Sequence, residues 1–198
     1  MLQQQYSINQ LQLFYEKTAE RHGHLCPRQV LGVRMGFLAA QLLELELPQK
    51  NKRLLMIVET DGCFVSGVEV STGCAMSRRT LRMIDYGKVA ATFIDTETEN
   101  AVRIVPHPES RENAQKYAPD ERSRWHSYLE AYQHMPPELL FVYEYVQLTR
   151  SLSRLISHSK YRVKCELCGE EILNQREFVS EGHTFCKACV VDTYYKTI

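Results

Sequence analysis

"TLRMIDYGKVAATFID", residues 80–95, decides the fold class. Apolar side chains alternate on both sides of its centre, Leu81 and Met83 before it, Val89, Ala91 and Phe93 after it. That period of two predicts two strands around a tight turn at Tyr86-Gly87. "AVRIV" (101–105) follows the polar "TETEN" and predicts a third strand of an antiparallel meander. "PELLFVYEYVQL" (137–148) predicts one more, and the short apolar run "RLLMIVET" (53–60) has the length of a buried strand. Helical patterns come first. Ile8, Leu11, Phe14 and Tyr15 form a stripe over 8–22, and a second helix is expected from Pro27 to about Leu45, with Pro27 suited to its first position. "CFVSGVEVSTG" (63–73) predicts a short helix closed by a left-handed Gly73. Residues 108–135 are polar and helical, broken near Pro119. Helices followed by mainly adjacent strands predict an α+β domain, with N-terminal helices packed on a mainly antiparallel sheet.

The totals fit a globular chain. Of 198 residues, 44% are hydrophobic and 24% charged, and 24 Lys+Arg balance 24 Asp+Glu. Zero net charge removes the electrostatic argument for a dedicated nucleic-acid binder. The start "MLQQQYSINQ" has no basic or apolar leader pattern, and no apolar run approaches the ~18 residues of a membrane span, so a soluble cytoplasmic protein is expected. Seven cysteines, an odd number, point to metal or thiol chemistry rather than disulfides.

Four of them read Cys165-x2-Cys168-x17-Cys186-x2-Cys189. This is the spacing of a structural zinc site, in which two knuckles direct four thiolates at one ion. Gly169 permits the turn after the first knuckle, the middle segment can form a hairpin, and "KACVVDTYYK" can open a helix. That layout is a treble clef. So short a module needs its metal, because its own core is too small. His183 is an alternative ligand. The basic stretch 149–164 carries five Lys/Arg and no acid and predicts a linker between a core domain at 1–148 and a finger at 165–198. The finger and its lead-in (160–198) hold six Lys/Arg and six Asp/Glu, so a protein contact is as well supported as a nucleic-acid contact.

The other three cysteines lie among punctuation residues. "HGHLCP" (22–27) places Cys26 where the second helix begins, where exposed N–H groups favour a thiolate, and His24 is two residues away. "ETDGC" (59–63) puts Cys63 just past a strand, with Gly62 allowing a sharp exit. His24, Cys26 and Cys63 would make a three-ligand site with an open position, the form of a catalytic or substrate-binding metal. His22 and Cys74, in "STGCAMSRR" (71–79), adjoin it. The plain alternative is that the cysteines are small core hydrophobes and the histidines satisfied polar groups. Arg78 and Arg79 could hold an anion such as a carboxylate or phosphate, or form a solvated face.

"HGHLCPRQVLGVRMG", "ETDGC", "STGCAMSRRTL" and "DYGKVAATFID", in this order, resemble the FmdE family, which takes its name from a component of formylmethanofuran dehydrogenase. The resemblance covers about residues 10–148, and "CELCGEEI…CKAC" looks like the treble-clef zinc finger some members append. It implies an α+β core, an intertwined homodimer, and a metal or active-site cluster carried by His24, Cys26 and Cys63, with His22 and Cys74 at adjoining motif positions. The family pattern after the Cys74 position is Thr, Gly, Lys; here Ala75 and Ser77 depart from it. The function implied is a metal-binding accessory subunit or small metalloprotein of the formylmethanofuran dehydrogenase type, an oxidoreductase partner with a second transition metal, zinc by preference, in its core. The alternative is a metal-sensing or regulatory protein whose finger touches protein or nucleic acid.

Overall fold

The computed structural model describes residues 6, 8–156, 160–196 and 198. Met1–Gln5, read above for a leader, and 157–159 of the basic stretch lie outside the described residues. The chain forms two compact units, Met1–Thr149 and Arg150–Ile198.

In the first unit α1 (Ile8–His22) and α2 (Pro27–Leu42) precede β1 (Leu54–Val58), α3 (Cys63–Thr72), β2 (Leu81–Met83), β3 (Ala91–Asp95) and β4 (Ala101–Pro106). Then come α4 (Ser110–Tyr117), α5 (Arg124–His134), α6 (Pro137–Leu140) and β5 (Phe141–Tyr145). One sheet runs β2-β1-β3-β4-β5, with β1 and β2 parallel and every other pair antiparallel. The α+β class with a mainly antiparallel sheet is therefore as expected.

The expected hairpin within 80–95 is a correction. β2 and β3 do not pair; β1 stands between them, aligned with Leu81 through Met56 on one side and with Phe93 through the same residue on the other. Residues 84–90 instead wrap the end of β1. Ile84 N–H donates to the Val58 carbonyl, Tyr86 and Lys88 N–H to that of Glu59, and Glu59 N–H to Ala90. The alternation was correctly a strand signal, but alternation does not name a partner. Gly87 does lie at positive φ, +63°, inside this strap. The 137–148 stretch also differs: its first residues form the helical turn α6, and only 141–145 pair as β5.

Period-two burial supplies the core. Leu54, Met56 and Val58 of β1, Phe93 of β3, and Val102 and Ile104 of β4 join one buried cluster with Val30, Val33, Met35, Phe64 and Val68 of the helices. Each such side chain contributes on the order of 1.5–3 kcal/mol on burial.

The helices α2 and α3 approach unusually closely. A Cβ on Gly32 would stand 2.3 Å from the Phe64 carbonyl oxygen, and one on Gly36 would stand 2.2 Å from the Ser71 hydroxyl. Gly32 faces 64–68 and Gly36 faces 71–72, so contacts advance together and the two helices run parallel. Their N-termini therefore open at the same end. Gly73, φ +73°, closes α3 as expected.

In the second unit β6 (Arg162–Lys164) pairs with β7 (Glu171–Leu173), and β8 (Phe178–Ser180) with β9 (His183–Phe185). The basic stretch before the finger contains one helical turn, α7 (Leu152–Leu155), and its last residues are β6 itself. A single turn, α8 (Lys187–Val190), ends the finger.

Candidate metal centres

The finger centre is assembled by local hydrogen bonds. Gly169 N–H donates to the Cys165 carbonyl and Cys165 N–H to that of Glu170, which bends the first knuckle between β6 and β7. Glu166 reaches across to the second hairpin, accepting from Thr184 N–H at 2.7 Å and meeting His183 Nδ1 at 2.7 Å. His183 is thus held by a carboxylate outside the cluster. The sulfurs of Cys165, Cys168, Cys186 and Cys189 all lie within 4.8 Å of one another. Cys168 and Cys186 are 3.9 Å apart, against the ~3.8 Å that a tetrahedron of ~2.3 Å zinc–sulfur bonds requires. The donor set fits zinc.

Electrostatics makes the same demand. N–H groups of Cys168 and Cys186 bring the Cys165 thiol down to about 6. Its neighbours Cys186 and Cys168 push Cys189 up to about 12. Four sulfurs this close cannot all ionise until a divalent cation replaces the protons.

The core site is built differently. Cys26 is the N-cap of α2, with extended backbone (φ −125°, ψ 160°) ahead of Pro27. Cys63 opens α3, after Gly62 at φ +84° turns the chain out of β1. Parallel packing of α2 and α3 puts the two at the same end of the helix pair, near enough for the Cys63 thiol to act on that of Cys26. Burial raises the Cys26 thiol, and the Cys63 thiol adds to this, against backbone N–H groups of Gln29 and Arg28 that lower it. The helix start therefore does not by itself yield the thiolate expected from sequence; desolvation outweighs it.

Glu59 fixes the exit from β1. Its carboxylate takes both Nε and Nη2 of Arg103 from β4, at 2.6 and 2.7 Å. His24 is exposed, and its ring makes no hydrogen bond among the described residues. His24, Cys26 and Cys63 do not stand all within 4.8 Å of one another, as the finger sulfurs do. His22 is turned to α3, where Nε2 meets the Ser66 hydroxyl at 2.8 Å.

Two expected neighbours are elsewhere. Cys74 follows the far end of α3, about 15 Å along the helix from Cys63. It is 2% exposed within the apolar core, its thiol donates to the Leu54 carbonyl, and burial raises it. Arg78 is turned to the backbone. Its guanidinium donates to the carbonyls of Gly73, Gln49 and Lys50, at 2.8, 3.2 and 2.6 Å, and to Asn51 at 3.5 Å, stapling the 49–51 loop to the end of α3. Arg79 sits at φ +61° in the tight turn beside it.

Gln29 was not singled out from sequence. Fully buried, it accepts from Cys26 N–H through Oε1 at 2.7 Å, completing a capping box, while its Nε2 has no partner among the described residues. Glutamine three places after an N-cap is the signal that could have found it.

Comparison with known proteins agrees with these two parts. Residues 21–142 match the family model described as "FmdE, Molybdenum formylmethanofuran dehydrogenase operon". Residues 159–192 match that of the "Prokaryotic dksA/traR C4-type zinc finger". A "Probable S-adenosyl-L-methionine-binding protein" of Archaeoglobus fulgidus is 36% identical over 104 residues, 51% of this chain. The chain spans only 28% of that relative's length. The crystal structure of an FmdE-like protein of the tungsten formylmethanofuran dehydrogenase type, from Syntrophus aciditrophicus, superposes with a TM-score of 0.55 at 23% identity, covering 97% of this chain and 96% of that one. That likeness is one of fold. With the four-sulfur cluster, the matches make this a metal-binding protein with zinc in its C-terminal unit.

Proposed function

This chain belongs to the FmdE family, and on that premise we propose that it is a metal-binding accessory subunit, or a small metalloprotein, of formylmethanofuran dehydrogenase-type one-carbon chemistry. In this reading it is a cytoplasmic homodimer serving an oxidoreductase. No described helix is long and apolar enough to cross a membrane. The zinc finger is structural, and a second transition metal, zinc by chemistry, is held by Cys26, Cys63 and His24.

The observation that carries the reading is the placement of Cys26 and Cys63 at the neighbouring, parallel starts of α2 and α3. Two sulfurs supplied by rigid helices, with an unengaged exposed imidazole two residues from one of them, make a partial ligand set. His24 completes it by a rotation of its loop, which begins at Gly23, φ +75°. Three protein ligands leave a fourth position for a small molecule. Bound there, the metal would act as a Lewis acid on that ligand. The chain's own residues supply the rest: helix N–H groups that favour thiolates, and Glu59–Arg103 holding the turn that aims Cys63.

Metal analysis of the purified full chain tests this. Two metal ions per chain are expected in the wild type and one in Cys26→Ala or Cys63→Ala, with the finger still loaded. One zinc per chain, indifferent to both substitutions, rules the core centre out.

A second reading rests on the dksA/traR-type finger match: a metal-responsive regulator whose finger contacts protein or nucleic acid. A salt-sensitive gel shift on mixed DNA or RNA would favour it. Adding S-adenosylmethionine to the same protein in calorimetry tests whether the property in the archaeal relative's name extends to this chain.

A further inference from the structure

We propose, resting on the core-metal reading above, that Gln29 is a positioning residue of that centre. One end of its carboxamide holds Cys26, and the other is kept for the metal-bound sulfur of Cys63.

The carboxamide is not free to turn. Oε1 accepts from Cys26 N–H at 2.7 Å, and the Cys26 side chain in return takes Gln29 N–H, the reciprocal pair of a capping box. A backbone N–H can be met only by an acceptor, so the amide oxygen must face Cys26 and Nε2 the other way. Gln29 is fully buried, and Nε2 has no partner among the described residues. Buried amide donors are seldom left so, because each unmade bond keeps the whole cost of leaving water.

Helix packing brings the start of α3 to the same level. Gly67 lies against the backbone of Gln29 and Val33, and Gly32 against that of Phe64 and Val68. Cys63 is four residues before Gly67, one turn back on the same face of α3. Cys26 is three residues before Gln29, and the Gln29 side chain reaches back to it. Carboxamide and Cys63 therefore share the end at which both helices open. A neutral thiol is a weak acceptor, whereas a metal-bound thiolate is a strong one. Loading the site would give Nε2 its acceptor, and the N–H bond would in turn fix the sulfur on the metal.

The test is a cobalt(II) titration of the full chain with zinc already in the finger, followed through the sulfur-to-cobalt charge-transfer band, with Cys26→Ala as the blank. Wild type should take one cobalt beyond the blank. Gln29→Met should weaken that cobalt about tenfold or more. Its band should also move to longer wavelength, since a sulfur relieved of an N–H bond gives up its electron more readily. Pro27→Ala, which loosens the same helix start without touching the amide, should leave the band in place. An unmoved band or wild-type affinity in Gln29→Met overturns the proposal, as does an equal shift in Pro27→Ala. Should Gln29→Met not fold, the wild type decides by nitrogen-15 NMR: one Nε2 proton of Gln29 should move downfield when the core takes zinc, and an unchanged resonance overturns the proposal. A wild type that takes no cobalt beyond the blank removes the core-metal reading and this role together; cobalt bound equally by wild type and Gln29→Met removes this role alone.

Discussion

Gly67 of α3 stands so close to Gln29 of α2 that a Cβ at Gly67 would lie 2.2 Å from the Gln29 carbonyl oxygen. The obstacle is backbone, which cannot swing aside. This contact sets the distance between the helices and therefore between the two cysteines at their starts.

Gly67→Ala and Gly32→Ala should each destabilise the first unit by roughly 2–3 kcal/mol, the cost of overpacking against an immobile neighbour. Gly87→Ala, with nothing within 4 Å of its Cβ but a left-handed backbone, should cost only about 1 kcal/mol. Urea unfolding followed through Trp125 measures all three. Equal losses would mean that helix contact is not what the glycines serve.

Arg78→Ala removes the guanidinium bonds to the carbonyls at 49–51 and 73 and should cost roughly 2–3 kcal/mol. Lysine should recover less than half, because a compact ammonium cannot span carbonyls that a planar fork reaches together. Full recovery in Arg78→Lys would show that charge alone matters there.

Acid stability should depend on Asp95. Both of its oxygens take Arg53, at 3.0 and 2.8 Å, with Glu97 N–H and the Thr98 hydroxyl also donating. Arg53 above all holds its carboxyl down at about 2, against 3.8 ordinarily. The folded state binds this proton less readily than the unfolded one. The contribution is therefore complete above about pH 4 and disappears as pH falls through about 2. Asp95→Asn should be less stable at neutral pH and should flatten the urea midpoint between pH 4 and 2. Parallel profiles for both proteins would refute the assignment.

Zinc removal should be felt unevenly. A strong chelator should unfold 160–196, seen as new proteolytic cuts there, and expose Cys165, Cys168, Cys186 and Cys189 to alkylation. Cys74 should stay unmodified until the first unit melts, since burial both shields its thiol and keeps it protonated. Mass spectrometry of the alkylated chain reads both. Early labelling of Cys74 would place it outside the core.

Local signals explain what was legible beforehand. Pro27 and Gly73 mark helix ends because backbone geometry alone requires them, and the finger follows from spacing because four sulfurs on two knuckles have few other uses. Pairing is not local. Nothing in 80–95 announces that β1, twenty-odd residues earlier, inserts between its two strands. The partners of Arg78 and Cys74 were illegible for a similar reason. A guanidinium reads the same whether carbonyls or an anion await it, and a thiol's place depends on which end of a helix it follows. Gln29 needed only the capping rule.

The strap at 84–90 has a practical side. Hairpin tips tolerate trimming, but this connection must bridge two strand spacings, roughly 9.6 Å, while turning over the end of β1. Its seven residues cover that distance with chain to spare, and what they supply besides length is the set of hydrogen bonds from Ile84, Tyr86 and Lys88 to Val58 and Glu59, and from Glu59 to Ala90. Deleting three of them, harmless in a true turn, would strip these bonds from the end of β1, whereas extra residues inserted around Gly87 should be accommodated without disturbing either neighbour.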